Sequence, residues 1–155
     1  MALRINNKRM FCSILIAGGL LALNSVSIFA ADEPTQKIVG VAIKGYDPVA
    51  YFTENRAVKG SKKYTYNWHE ATWYFSSPEN RDLFAANPER YAPQFVGYCA
   101  TGVSKGKLLK ADPKQWTIVD GKLYLNYDRS ARDILRQHKA DMITEAEKNW
   151  VNLNK

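Results

Sequence analysis

The chain has 155 residues, with 22 basic against 15 acidic side chains and 46% apolar residues. That length suits one small domain with its own core, and the apolar and charged fractions exclude a disordered or fibrous chain. With only Cys12 and Cys99, a disulfide framework is excluded as well.

Three of the cations, Arg4, Lys8 and Arg9, fall in the first ten residues, and no acid precedes Asp32. Met10 to Leu23 then forms an uncharged, mostly apolar run of fourteen residues. A bilayer span needs about 20 apolar residues, so this run reads as a signal-peptide core, with cleavage after Ala30 or Ala31. Removing residues 1–30 leaves 19 basic and 15 acidic side chains, net +4. Cys12 begins the apolar run, whereas a lipid-modified cysteine would end it, and Lys8 replaces the first arginine of a twin-arginine pattern. The expectation is Sec-type export to a bacterial periplasm or the cell exterior, with no membrane span after cleavage.

Residues 31–39 read as a polar leader, and the β-branched residues of Lys37 to Ile43 as a short edge strand. Asp47-Pro48 opens a helix, the carboxylate capping it and proline taking its first position. Tyr64 to Ser76 alternates with period two and predicts a hairpin turning at Glu70-Ala71. Ser77-Pro78 and Asn87-Pro88 each start a helix by the same device. Gly97 to Gly106 brackets a short helical turn that holds Cys99. Trp116 to Tyr127 is a second hairpin, its Asp120-Gly121 suited to the positive φ angles of a type I′ turn, with Leu123, Leu125 and Tyr127 on one face.

From Arg129 onward Ile134, Leu135, His138, Met142, Ala146, Trp150 and Leu153 form one apolar stripe at helical spacing, and Asp141 is placed to divide the run into two helices. No internal repeat of solenoid spacing is present. These elements predict an α+β fold, a small compact single domain of two hairpins packed with short helices and a C-terminal helix or helix pair.

Cys99, the sole thiol after residue 30, has two readings. One is a buried cysteine packing as a small hydrophobe. The other is a redox thiolate activated where a short helix begins, between Gly97 and Gly102, or one ligand of a soft metal ion. His69 lies beside a turn and reads as solvated, while His138 falls on the apolar stripe and reads as a core or interface histidine. Lys59, Lys62 and Lys63 form a solvated loop cluster, too sparse for nucleic acid. No phosphate-binding loop, nucleophile elbow or His-Glu-x-x-His pattern occurs.

Read together, Gly45-Tyr-Asp-Pro-Val-Ala-Tyr-Phe52, Trp73-Tyr-Phe-Ser-Ser77, Phe84, Asn87-Pro-Glu-Arg-Tyr91 and Gly97-Tyr-Cys-Ala100 resemble the YHS-domain family, in its branch of small exported bacterial proteins. The resemblance spans residues 40–127, leaving 128–155 as a helical extension, and implies a small α+β metal- or redox-linked module. Metal-type members carry thiolates at positions that here hold Ala50, Ser76 and Asn80. None of these three is a ligand for a thiophilic metal, so the resemblance implies an ancestral metal site without function. Cys99 in Gly-Tyr-Cys-Ala looks like the motif of the exported branch. The resulting reading is a non-catalytic binding or accessory module linked to metal or redox homeostasis. Two alternatives stand beside it: a thiol-dependent periplasmic oxidoreductase using Cys99, or a structural domain that docks a protein partner through the C-terminal helix.

Overall fold

The computed structural model describes residues 36–155. The expected signal peptide, Cys12 and residues 31–35 of the expected leader lie outside the described residues. No described helix is long and apolar enough to cross a membrane.

The fold is α+β, as the alternation of hairpins and capped helices predicts. Strand β1 (Gly40–Val41) is shorter than the β-branched run around it. The extended chain stops there because Ala42–Gly45 turns with Ile43 and Lys44 at φ 39° and 54°, a left-handed conformation no strand admits. Helix α1 (Ala50–Thr53) follows. Strands β2 (Ser61–Trp68) and β3 (Ala71–Phe75) pair antiparallel, and β1 joins the free side of β3 in parallel. The hairpin turns at His69-Glu70, one residue before the predicted place, because both residues take positive φ.

Helices α2 (Pro78–Ala86) and α3 (Pro88–Tyr91) start as predicted, with Ser77 Oγ accepting from the Asn80 N–H and Asn87 Oδ1 from the Arg90 N–H. A second left-handed turn, Gln94–Gly97, leads into α4 (Ala100–Val103). Strands β4 (Asp112–Val119) and β5 (Lys122–Asn126) form the Asp120-Gly121 hairpin. Helices α5 (Arg129–Gln137) and α6 (Lys139–Leu153) complete the chain.

Two sequence expectations in this last part change. Tyr127 lies past the end of β5 and is 58% exposed, while Tyr124 and Asn126 are buried along with Leu123 and Leu125. Strand β5 is therefore covered on both faces, not one. The helical run breaks at His138, which leaves helical geometry at φ −125°, ψ 42°, and not at Asp141. Placed at this break, His138 is exposed instead of sitting in a core.

The two parts of the chain follow one path twice. A shift of 51 residues carries every paired residue of the first hairpin onto a pair of the second: Thr65↔Tyr74 onto Trp116↔Leu125, and Trp68↔Ala71 onto Val119↔Lys122. Even the irregular first pairs correspond, Ser61↔Phe75 with Asp112↔Asn126. The bridge Tyr46↔Lys59 has its counterpart in Tyr98↔Lys110, and the parallel contact Val41↔Thr72 in Pro93↔Leu123. Helices α2 and α5 match in start and length.

Among the helices only α3 and α6 diverge, four residues against fifteen, and β1 is reduced to a single bridge in the second half. This twofold repeat is longer than any solenoid period, and its sequence trace is thin: Gly-Tyr at 45–46 and 97–98, and Arg-Asp-Leu-Phe at 81–84 against Arg-Asp-Ile-Leu at 132–135. Two cores form, and the first is shared, since Leu123 and Leu125 of β5 pack into it beside the first-half aromatics. Trp73, Phe75 and Phe84 anchor the first; Phe95, Tyr124 and Leu135 anchor the second, where α6 adds Met142, Ala146 and Trp150.

Candidate functional site

The first site grows from the turn after Tyr46. Proline at 48 fixes the backbone just behind Asp47, and the aspartate side chain folds back over the start of α1. Asp47 Oδ1 accepts from the Val49 N–H at 2.8 Å and from the Ala50 N–H at 3.3 Å. Its Oδ2 accepts from the Ser76 N–H (2.8 Å), the Ser76 hydroxyl (2.6 Å) and the Asn80 Nδ2 (2.7 Å). Asp47 is 0% exposed, so these five donors replace the water a buried carboxylate would lose. Strand β3 delivers Ser76 at its exit, and α2 delivers Asn80 one turn after its Ser77 cap.

The structure thus brings together all three positions the sequence singles out, Ala50, Ser76 and Asn80, and places them around Asp47. Asp47 as their centre is what the sequence reading misses. It assigns that residue a cap and nothing more, because Ser76 and Asn80 lie 29 and 33 residues away along the chain.

Fit to a metal can be judged from this donor set. A thiophilic ion wants thiolate or imidazole. Here the donors are one carboxylate, one hydroxyl and one amide, and both carboxylate oxygens are already saturated by hydrogen bonds. Among the described residues no group of three or more His, Cys, Asp or Glu side chains converges to hold an ion. The residues do not fit the metal that the family resemblance implies.

Cys99 takes the corresponding place in the second half, two positions after the second left-handed turn. It does open a short helix, α4, and its Sγ accepts from the Gly102 N–H at 3.3 Å. It is 1% exposed. Gly102 does not leave room for a ligand: a Cβ there would lie 3.1 Å from the Lys107 carbonyl oxygen and 3.2 Å from the Leu109 side chain. The close approach this glycine permits is to its own chain. Neither His69 nor His138 joins the site, since both are exposed. His69 stacks edge-on against Trp68 at 4.1 Å.

Below Cys99, the Thr101 hydroxyl lies 2.8 Å from the Ala131 carbonyl and 3.1 Å from the Asn126 side-chain oxygen, while the buried Asn126 Nδ2 lacks a partner. A hydroxyl donates one proton. Given to the Ala131 carbonyl, it leaves the oxygen free to accept, and a turned Asn126 amide then supplies the missing donor. The knot is structural.

The C-terminal stripe packs inward and is not a free docking face. Trp150 lies 5.5 Å from Phe95 and 6.4 Å from Tyr98, and Asn149 Nδ2 donates to the Val103 and Ser104 carbonyls.

Comparison with known families bears on the first half. Residues 49–95 match the YHS domain. The YHS match starts beside Asp47, contains Ala50, Ser76 and Asn80, and ends in the second left-handed turn. No curated protein and no solved structure matches the chain.

Proposed function

We propose that this protein is an exported, non-catalytic accessory module of YHS type, acting in metal or redox homeostasis by binding and not by turnover. The observation that carries the reading is the saturated Asp47 carboxylate. Where metal-type relatives place thiolates, this chain has an alanine, a serine and an asparagine closed around a buried acid. The thiol-oxidoreductase alternative needs a solvent-reachable Cys99, and a side chain 1% exposed is not one.

Export follows from the basic start and the fourteen-residue apolar run. N-terminal sequencing of the periplasmic fraction is expected to begin at or near Ala31; full-length protein pelleting with membranes would contradict it. Metal analysis of the same preparation, beside Cys99→Ser, tests the site. Neither protein is expected to hold stoichiometric zinc or copper, whereas Ala50→Cys/Ser76→Cys/Asn80→Cys is expected to gain zinc affinity if these positions descend from a thiolate site. Stoichiometric metal in Cys99→Ser that is lost on Ser76→Ala/Asn80→Ala would overturn the reading.

A further inference from the structure

Two clefts lie back to back on either side of Lys37-Ile38. The first, about 250 Å³, runs under the His69-Glu70 turn against Trp68 and Trp73. Its lysine is already matched, Lys37 Nζ standing 3.0 Å from Glu70 Oε1, so its mouth favours no ligand charge. The second cleft, about 230 Å³, is different in kind. Among the described residues Lys37, Lys44 and Lys110 line it and no acidic side chain does, while Val41, Ile43 and Leu125 supply an apolar wall.

Among the described residues neither Lys44 nor Lys110 belongs to an ion pair. The cleft also sits at the seam between the halves, a common place for ligand sites. One side comes from the first left-handed turn (Ile43, Lys44) and the other from the second (Val96, Gly97). Lys44 departs from a backbone fixed at φ 54°, and its carbonyl is held by the Lys59 ammonium at 2.6 Å. The lysine stems extend the apolar wall while their charges stay in water.

We propose that this seam cleft binds an amphipathic organic anion, with the apolar body against Val41, Ile43 and Leu125 and one acidic head between Lys44 and Lys110. The inference rests on the reading of this chain as a binding module and names its ligand class. Lysine offers a point charge without arginine's planar fork, which suits a carboxylate or sulfonate held mainly by charge.

The test uses the fluorescent sulfonate 8-anilinonaphthalene-1-sulfonate beside its uncharged relative N-phenyl-1-naphthylamine. The sulfonate is expected to saturate one site, and the neutral probe to bind at least about tenfold more weakly. Lys44→Gln/Lys110→Gln, both exposed positions, is expected to weaken the sulfonate about tenfold and leave the neutral probe and the melting temperature unchanged. Val41→Asp, at a residue 43% exposed, is expected to abolish sulfonate binding on a folded protein. Dodecanoate below its micelle concentration should displace the probe.

Equal affinity for the two probes, or full affinity in the double variant, would overturn the proposal. So would binding to phosphatidylglycerol vesicles with none to monomeric anions, which would make this a membrane-surface patch. A folded protein that ignores the sulfonate loses this site but keeps the accessory-module reading, which falls instead to thiol-dependent turnover.

Discussion

The two halves of this molecule share a chain path and differ in what they bury at its centre. After the first left-handed turn the buried residue is Asp47, held by five donors; after the second it is Cys99, held by one. The difference is set at the hairpin exit, 51 residues apart. Ser76 and Asn80 supply donors in the first half, whereas Tyr127 turns outward and Ala131 has none to give in the second. One frame therefore accepts either a charged knot or an apolar thiol, and the exit residues decide which. The hairpin turns differ in the same way. Asp120-Gly121 meets the left-handed requirement at little cost, while His69-Glu70 meets it with two non-glycine residues at φ 48° and 62°.

The sharpest way to break the comparison is to truncate the two equivalent residues. Asp47→Ala strands the buried donors of Ser76, Asn80 and α1, and should cost about 3–5 kcal/mol in denaturant unfolding. Cys99→Ala removes one sulfur from a packed site and should cost about 1–2 kcal/mol. Equal losses would show that the Asp47 network is not what distinguishes the halves.

Alkaline titration probes the cores in turn. Burial, and then the nearby Glu147 and Asp120 carboxylates, push the Tyr124 phenol up to about 12. Tyr51, whose hydroxyl donates to the Pro113 carbonyl at 2.8 Å, is raised further, chiefly by burial. A folded pKa above the unfolded one means the stabilisation is complete below about pH 10 and lost as pH rises through the folded value. Stability is therefore expected to fall between about pH 10 and 12, and Tyr124→Phe should fall less steeply. A flat profile across that window would contradict the burial of both phenols.

The smallest effects belong to the turns. Glu70→Gly should stabilise the first hairpin by up to about 1 kcal/mol, and Gly121→Ala should destabilise the second by about the same. Both are read as shifts in the unfolding midpoint. Opposite signs are the expected result, and equal signs would break the correspondence of the two hairpins.

Legibility in the sequence followed the range of the chemistry. Caps at Ser77 and Asn87 and the Asp120-Gly121 turn depend on a few adjacent residues and are legible there, whereas the equally local cap at Asp128, whose Oδ1 accepts from the Ala131 N–H at 2.8 Å, goes unread. The divide at His138 escaped because a helical stripe continues through it, so periodicity alone favours the competent cap at Asp141. The left-handed turns escaped because Ile43, Phe95 and Val96 are β-branched or bulky residues rarely found there. Burial of Ile43 and Phe95 in the cores holds those turns. Only the family resemblance links Ala50, Ser76 and Asn80 as one set; their meeting at Asp47 needs residues up to 33 apart to converge. The twofold repeat left too few shared letters to be seen without the strand register.

The central claim, a module that works by binding and not by thiol chemistry, is tested most directly by alkylation of Cys99 in the folded protein. With Sγ buried under α4, labelling at neutral pH should be slower than that of a free thiol by several orders of magnitude. It should accelerate only with denaturant, in step with unfolding. Rapid labelling of the native protein, with a midpoint well below the free-cysteine value of about 8.5, would contradict the claim and restore Cys99 as a reactive centre.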